Sequence, residues 1–248
     1  MPAGYSYLTE TPILSCLSKN PRQQGLLILV ACLSMCLISS VVFAHGISGG
    51  DARFINQNEG FHFLTYLYLG AKHMVTGYDH LLFLFGVIFY LTTLRSIALY
   101  VSLFALGHSI TLIFGVLSDI HVNVFIIDAI IGLSVIYKAF DNIGGFKKLF
   151  GITINNKSAV FVFGLFHGFG LATKLQEMSL SENGLLANLL SFNLGVELGQ
   201  IFALIYLLLL LNISHRLSNT PGFGISVNIL LMIGGFALTT YQLTLFFA

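Results

Sequence analysis

Residues 97–117 read IALYVSLFALGHSITLIFGVL, an unbroken apolar run with one imidazole, His108, at its middle. No Asp, Glu, Lys or Arg interrupts it. About 20 such residues cross the hydrocarbon core of a bilayer. The run therefore predicts a membrane-spanning helix, and His108 needs a reason to be there. Four later runs read the same way: Val122 to Phe140, Ser158 to Lys174, Gly184 to Leu211 and Phe223 to Phe247. A sixth begins near His73 and ends near Leu94. Only 8% of the 248 residues are charged while 56% are hydrophobic. A soluble domain carries roughly one quarter charged residues, so lipid is the natural solvent. The formal net charge of +1 gives no reason to expect a nucleic-acid partner.

The start of the chain reads as an export signal. Lys19 and Arg22 precede the apolar run Gly25 to Phe43, which ends in Val42-Phe43-Ala44. A basic region, an apolar core and small residues before a cut make such a signal. Cleavage after Ala44 is expected, with Met1 to Asn20 as an upstream extension. It would remove Cys16, Cys32 and Cys36, the protein's three cysteines. The mature chain would then hold no thiolate ligand, disulfide or cysteine nucleophile. The expected units are residues 1–44 as extension and signal, 45–72 as an external segment, and 73–248 as a six-helix transmembrane domain. Phe61 to Gly70 is apolar but short, and reads as an interfacial or re-entrant helix.

Charge sets the orientation. With six spans and both mature termini outside, the inner side holds Arg95, Lys138, Lys147, Lys148, Lys157 and Arg216. The outer side holds Arg53, Lys72 and Lys174. That satisfies the positive-inside rule. Counting Phe61 to Gly70 as a seventh span reverses it. Asp141 to Lys157 reads as the main inner loop.

An ionisable side chain at mid-bilayer costs at least ~2.5 kcal/mol. Here there are several: Asp79 and His80, His108, His167 and Glu197, spread over four predicted helices. Asn193, Glu197 and Gln200 are spaced to share a helix face, as are His108 and Thr111. Lipid cannot satisfy such groups, so the face is expected to point inward. His73 and His80 are seven residues apart, ~10 Å on an ideal helix and too far to share one ion. A break at Gly77 would bring them together, a device known from transporters. Glycines flank His108 and His167 and permit close helix approach.

Each polar residue also has a plain alternative as a hydrogen-bonding link between helices. His62, His121 and His215 read as interfacial or solvated. The Phe and Leu stripes read as lipid-facing or packing residues. Taken together, imidazole and carboxylate without thiolate suit a borderline divalent ion such as Ni, Co, Cu or Zn. The candidate ligands are His73, Asp79, His80, His108, His167 and Glu197. Asn193, Gln200, Ser109 and Thr111 are candidates for a supporting shell or a path. His45 and Asp128 are outlying members. His45 has a plainer reading as the residue after a cut, and Asp128 as a structural group.

Four segments carry a resemblance: His73-Met-Val-Thr-Gly-Tyr-Asp-His80, Gly107-His-Ser-Ile-Thr-Leu112, Gly164-Leu-Phe-His-Gly-Phe-Gly170 and Phe192-Asn-Leu-Gly-Val-Glu-Leu-Gly-Gln200. In this order they resemble the HupE/UreJ proteins, from about Phe61 to Gln200. The resemblance implies a bacterial inner-membrane permease for nickel or cobalt, linked to hydrogenase or urease maturation. It also implies that His73, Asp79 and His80 handle the metal. Met74 departs from the Pro that many members carry there. Two other readings use the same residues: an intramembrane zinc hydrolase, and a non-transporting accessory subunit. The chain lacks His-Glu-x-x-His and Gly-x-Ser-x-Gly, so an enzyme has no motif of its own. It also lacks a Walker A motif, so ATP hydrolysis is not expected of it.

Overall fold

The computed structural model describes residues 60–177, 183–217 and 223–248. The expectations for the export signal, the cysteines, His45, Arg53 and the side chains of His215 and Arg216 fall outside the described residues. Among the described residues every regular element is a helix: α1 (Phe63–Thr76), α2 (Tyr78–Ile88), α3 (Leu94–Leu117), α4 (Val124–Asn142), α5 (Gly145–Phe150), α6 (Asn156–Gln176), α7 (Leu185–Leu217) and α8 (Phe223–Phe247).

Local chemistry starts several of them. The side chains of Thr93, Asn123 and Asn155 accept hydrogen bonds from the first free backbone N–H groups of α3, α4 and α6. These donors would otherwise lack partners at a helix start. Four helices are long and apolar enough to cross a membrane: Leu94–Leu117, Asn156–Gln176, Leu185–Asn212 and Gly224–Phe247. This is the pattern of a membrane protein. The fifth long run, α4, carries Asp128, Lys138 and Asp141, and each charge is paired. Lys138 meets Asp141 at 2.9 Å and Asp128 meets Lys174 at 2.8 Å.

The break weighed at Gly77 is present, and the readings of two neighbouring stretches change. Residues His73 to Leu94 do not form one helix. Gly77 adopts an extended conformation (φ −77°, ψ 102°), so His73 ends up in the last turn of α1 and His80 in the first turn of α2. The short aromatic stretch Phe61 to Gly70 is mostly part of α1, packed along α7. The stretch Asp141 to Lys157, expected as a loop, also contains structure, since α5 carries Lys147 and Lys148 between Gly144 and Gly151, both at positive φ.

Glycines set the helix pairing. Leu67 and Ala71 lie against Gly195 and Gly199, so α1 runs parallel to α7. Phe104 meets Gly164, and His108 and Thr111 meet Gly168, so α3 runs parallel to α6. Gly164 and Gly168, like Gly195 and Gly199, form the small-xxx-small pattern that lets backbones touch in lipid. On α4, Gly132 and Ile136 face Gly235, and Thr239 donates to the Ala129 carbonyl; the two helices are antiparallel. α4 also runs antiparallel to α6, with Asp128 by Lys174 at one end and Tyr137 by Phe163 further along.

A methyl group at Gly168 would collide with Thr111 Oγ1 and the His108 carbonyl oxygen. The His108 carbonyl is backbone and cannot step aside. Gly168→Ala is therefore expected to destabilise the fold by about 1–3 kcal/mol, the usual cost of overpacking. Thermal unfolding in detergent would read this as a lowered midpoint. An unchanged midpoint would mean that α3 and α6 are not in backbone contact.

Candidate metal centre

The break at Gly77 is what assembles the site. The Gly77 N–H donates to the His73 carbonyl at 3.0 Å and closes α1. The chain restarts at once with Asp79 in the first turn of α2, where a carboxylate is favoured by the helix dipole. The rings of His73 and His80 come to lie 4.9 Å apart, centroid to centroid. The unbroken helix would have held the two residues ~10 Å apart along its axis.

His80 is the hub. Its ring lies 5.0 Å from that of His167 on α6 and 6.3 Å from that of His108 on α3. Ligand nitrogens of His73, His80 and His108 fall within 4.8 Å of one another. His167 stands outside that triad but beside His80. A small cavity of about 30 Å³ is lined by His73, His80 and His167, with Asp79, Asp128 and Lys174 also on its wall. His108 does not line this cavity and is almost wholly buried.

The hydrogen bonds fix which nitrogens are offered. Asp79 Oδ1 lies 2.8 Å from His80 Nδ1 and also accepts the His80 backbone N–H. A proton on Nδ1 donates to that carboxylate and leaves the Nε2 lone pair free. His167 Nδ1 lies 2.7 Å from the Phe163 carbonyl oxygen, which can only accept, so His167 is likewise committed to an Nε2 lone pair. A carboxylate or carbonyl behind each imidazole is the usual arrangement of histidine metal ligands. Nε2 of His73, His80 and His167 and both nitrogens of His108 are buried and have no hydrogen-bond partner among the described residues. An unsatisfied buried polar atom costs ~1–3 kcal/mol. Five in one place are hard to explain by helix packing alone.

The other candidates fall in different positions. Asp79 reaches the site through His80. Glu197 does not face the interior: it lies on the exposed side of α7 with Leu194, Leu198 and Ile201. The cause is geometric. Gly195 and Gly199, each ~200° around the helix from Glu197, form the face that α1 covers. Asn193 and Gln200 are buried on the adjoining arc. Gln200 donates to the Val101 carbonyl at 3.4 Å, and Asn193 Oδ1 has no hydrogen-bond partner among the described residues. Thr111 donates to the Leu165 carbonyl at 2.7 Å and so links α3 to α6. Ser109 is half-buried on α3. Asp128 is held by Lys174.

Sequence reasoning missed the aromatic wall. Phe104 lies 4.8 Å from the His167 ring and stacks near His108, and Phe83 lies 5.7 Å from His167. The signal was available: Phe83 follows His80 by three residues and Phe104 precedes His108 by four, so each pair shares a helix face. These rings keep the offered nitrogens in an apolar, water-poor setting. Lys174 was also missed as the partner of Asp128. A distant ion pair leaves no local spacing to read.

Comparison with curated proteins and with solved structures found no match. The family described as HupE / UreJ protein matches residues 50–248. That stretch spans all the described helices, including the four that bring the histidines together, and the chain belongs to the HupE/UreJ family.

Proposed function

We propose that this protein carries a divalent transition metal, nickel or cobalt in the first instance, across the bacterial inner membrane by way of the histidine cluster. The observation that carries the reading is the set of partnerless imidazole nitrogens converging from α1, α2, α3 and α6. Neutral imidazole suits nickel, cobalt, copper and zinc alike. The preference for nickel or cobalt comes from the family. In this reading the pair α1–α2 makes one broken crossing and α3, α4, α6, α7 and α8 make five more. The Lys147/Lys148 helix then lies on the cytoplasmic side, as the positive-inside rule requires, and both mature termini lie outside. Discontinuous helices at a buried site are a recurring feature of carriers.

A cargo site must also release its ion. Nitrogen ligands in an apolar wall, without thiolates, favour that over permanent capture. The test is nickel uptake into proteoliposomes holding the purified full chain. Uptake above that of empty vesicles is expected. No uptake of nickel or cobalt in either direction of gradient would contradict transport.

The convergence of His73, His80 and His108 also favours a second reading. Three imidazoles meeting at one point are the ligand set of a catalytic zinc, which activates a water. A zinc-dependent lipid- or amide-hydrolysing activity in the same vesicles, lost in His80→Ala and unaccompanied by metal uptake, would select it. An accessory role without transport or hydrolysis would show neither signal.

A further inference from the structure

Asp128 and Lys174 line the same cavity as His73, His80 and His167. Asp128 lies near the start of α4 and Lys174 in the last turn of α6, so the pair marks one end of the bundle. Two of the three histidines on the cavity wall, His80 and His167, are buried, and the His80 side chain is 5% exposed against 20% for that of Lys174; His73 is half-buried. That end is braced, since Gln176 Nε2 donates to the Gly115 carbonyl at 2.7 Å and the Val122 N–H donates to Thr173 Oγ1. The Lys174 ammonium bonds both oxygens of Asp128, at 2.8 and 3.1 Å.

An ammonium seated on both oxygens of a buried carboxylate occupies the position that a metal cation would take. The carboxylate is a hard oxygen ligand facing a cavity whose inner wall offers nitrogen lone pairs. We propose that Asp128 is the first ligand met by an arriving divalent cation, and that Lys174 is a tethered stand-in for that cation. The cation displaces the ammonium from Asp128 and passes to the histidines, and Lys174 then returns. The pair keeps the mouth of the cavity neutral between passages. By reoccupying the carboxylate, the returning ammonium also keeps a second ion from settling behind the first. This rests on the transport reading of the histidine cluster.

Nickel titration of the purified full chain in detergent tests it. Wild type is expected to bind one equivalent. Lys174→Met frees the Asp128 carboxylate and is expected to bind two, and the double variant Asp128→Asn/Lys174→Met returns to one. Lys174→Gln, which keeps a hydrogen-bond donor beside Asp128, is expected to bind two as well and carries the test should the methionine chain misfold. Asp128→Asn alone keeps the single equivalent but lowers proteoliposome uptake about tenfold, the effect of losing one contact worth ~1.4 kcal/mol. A single equivalent in both Lys174 variants, or a second that survives Asp128→Asn, overturns the proposal. A wild type that binds no nickel, or keeps its equivalent in His80→Ala, overturns the histidine reading instead, so the two failures are told apart.

Discussion

Replacing His80 by alanine is expected to abolish nickel binding and, with it, uptake. His80 is the residue that the others surround: His73 and His167 have their rings about 5 Å away on two sides, and His108 lies beyond at 6.3 Å. The substitution also takes from the Asp79 carboxylate the imidazole that it holds at 2.8 Å. The loss should exceed the ~10–100-fold seen when only an orienting partner is removed. Calorimetric titration with nickel measures it, with helix content checked by circular dichroism. Tight binding by a folded His80→Ala protein would mean that the cluster is not the site.

The second large effect is expected at Asp79, and its size separates orientation from ligation. Asp79→Asn keeps the shape and an oxygen near His80 Nδ1 but loses the charge. The imidazole becomes a weaker donor of electron density, and the amide can turn its NH₂ toward the ring. A loss of about 10–100-fold in nickel affinity is expected, with the stoichiometry unchanged. Asp79→Ala should lose more, because the His80 backbone N–H also bonds to Asp79 Oδ1 and the start of α2 would lose an anchor. If Asp79→Asn removed the bound ion altogether, Asp79 would be a direct ligand and the account of its role would be wrong. If it changed nothing, the carboxylate would serve only the helix start.

Much of the architecture was legible in the chain. Apolar runs gave α3, α6, α7 and α8 because a bilayer demands length and rejects charge, and both constraints are written in local sequence. His108 and His167 stood out because glycines beside them promised close packing. The boundary at Gly77 was harder. Seven residues between His73 and His80 argue against a shared ion on a straight helix, and for one on a broken helix. Local propensity could not choose, because Gly77 is compatible with either.

The error at Glu197 came from a sound rule applied to an incomplete set. Asn193, Glu197 and Gln200 do lie on neighbouring positions of α7. The packed face, however, is set by Gly195 and Gly199 meeting Leu67 and Ala71 of α1. Glycine carries no side chain to signal burial, so the polar residues drew the attention. Asp128 shows the opposite limit. It looked isolated because its partner, Lys174, lies 46 residues away on another helix.

X-ray absorption at the nickel edge of the loaded, purified protein tests the central claim most directly. Converging imidazoles predict a first shell dominated by nitrogen, with the multiple-scattering pattern of at least three histidine rings, lost in His80→Ala. A shell of water or carboxylate oxygens alone, or a spectrum identical in the two proteins, would contradict it.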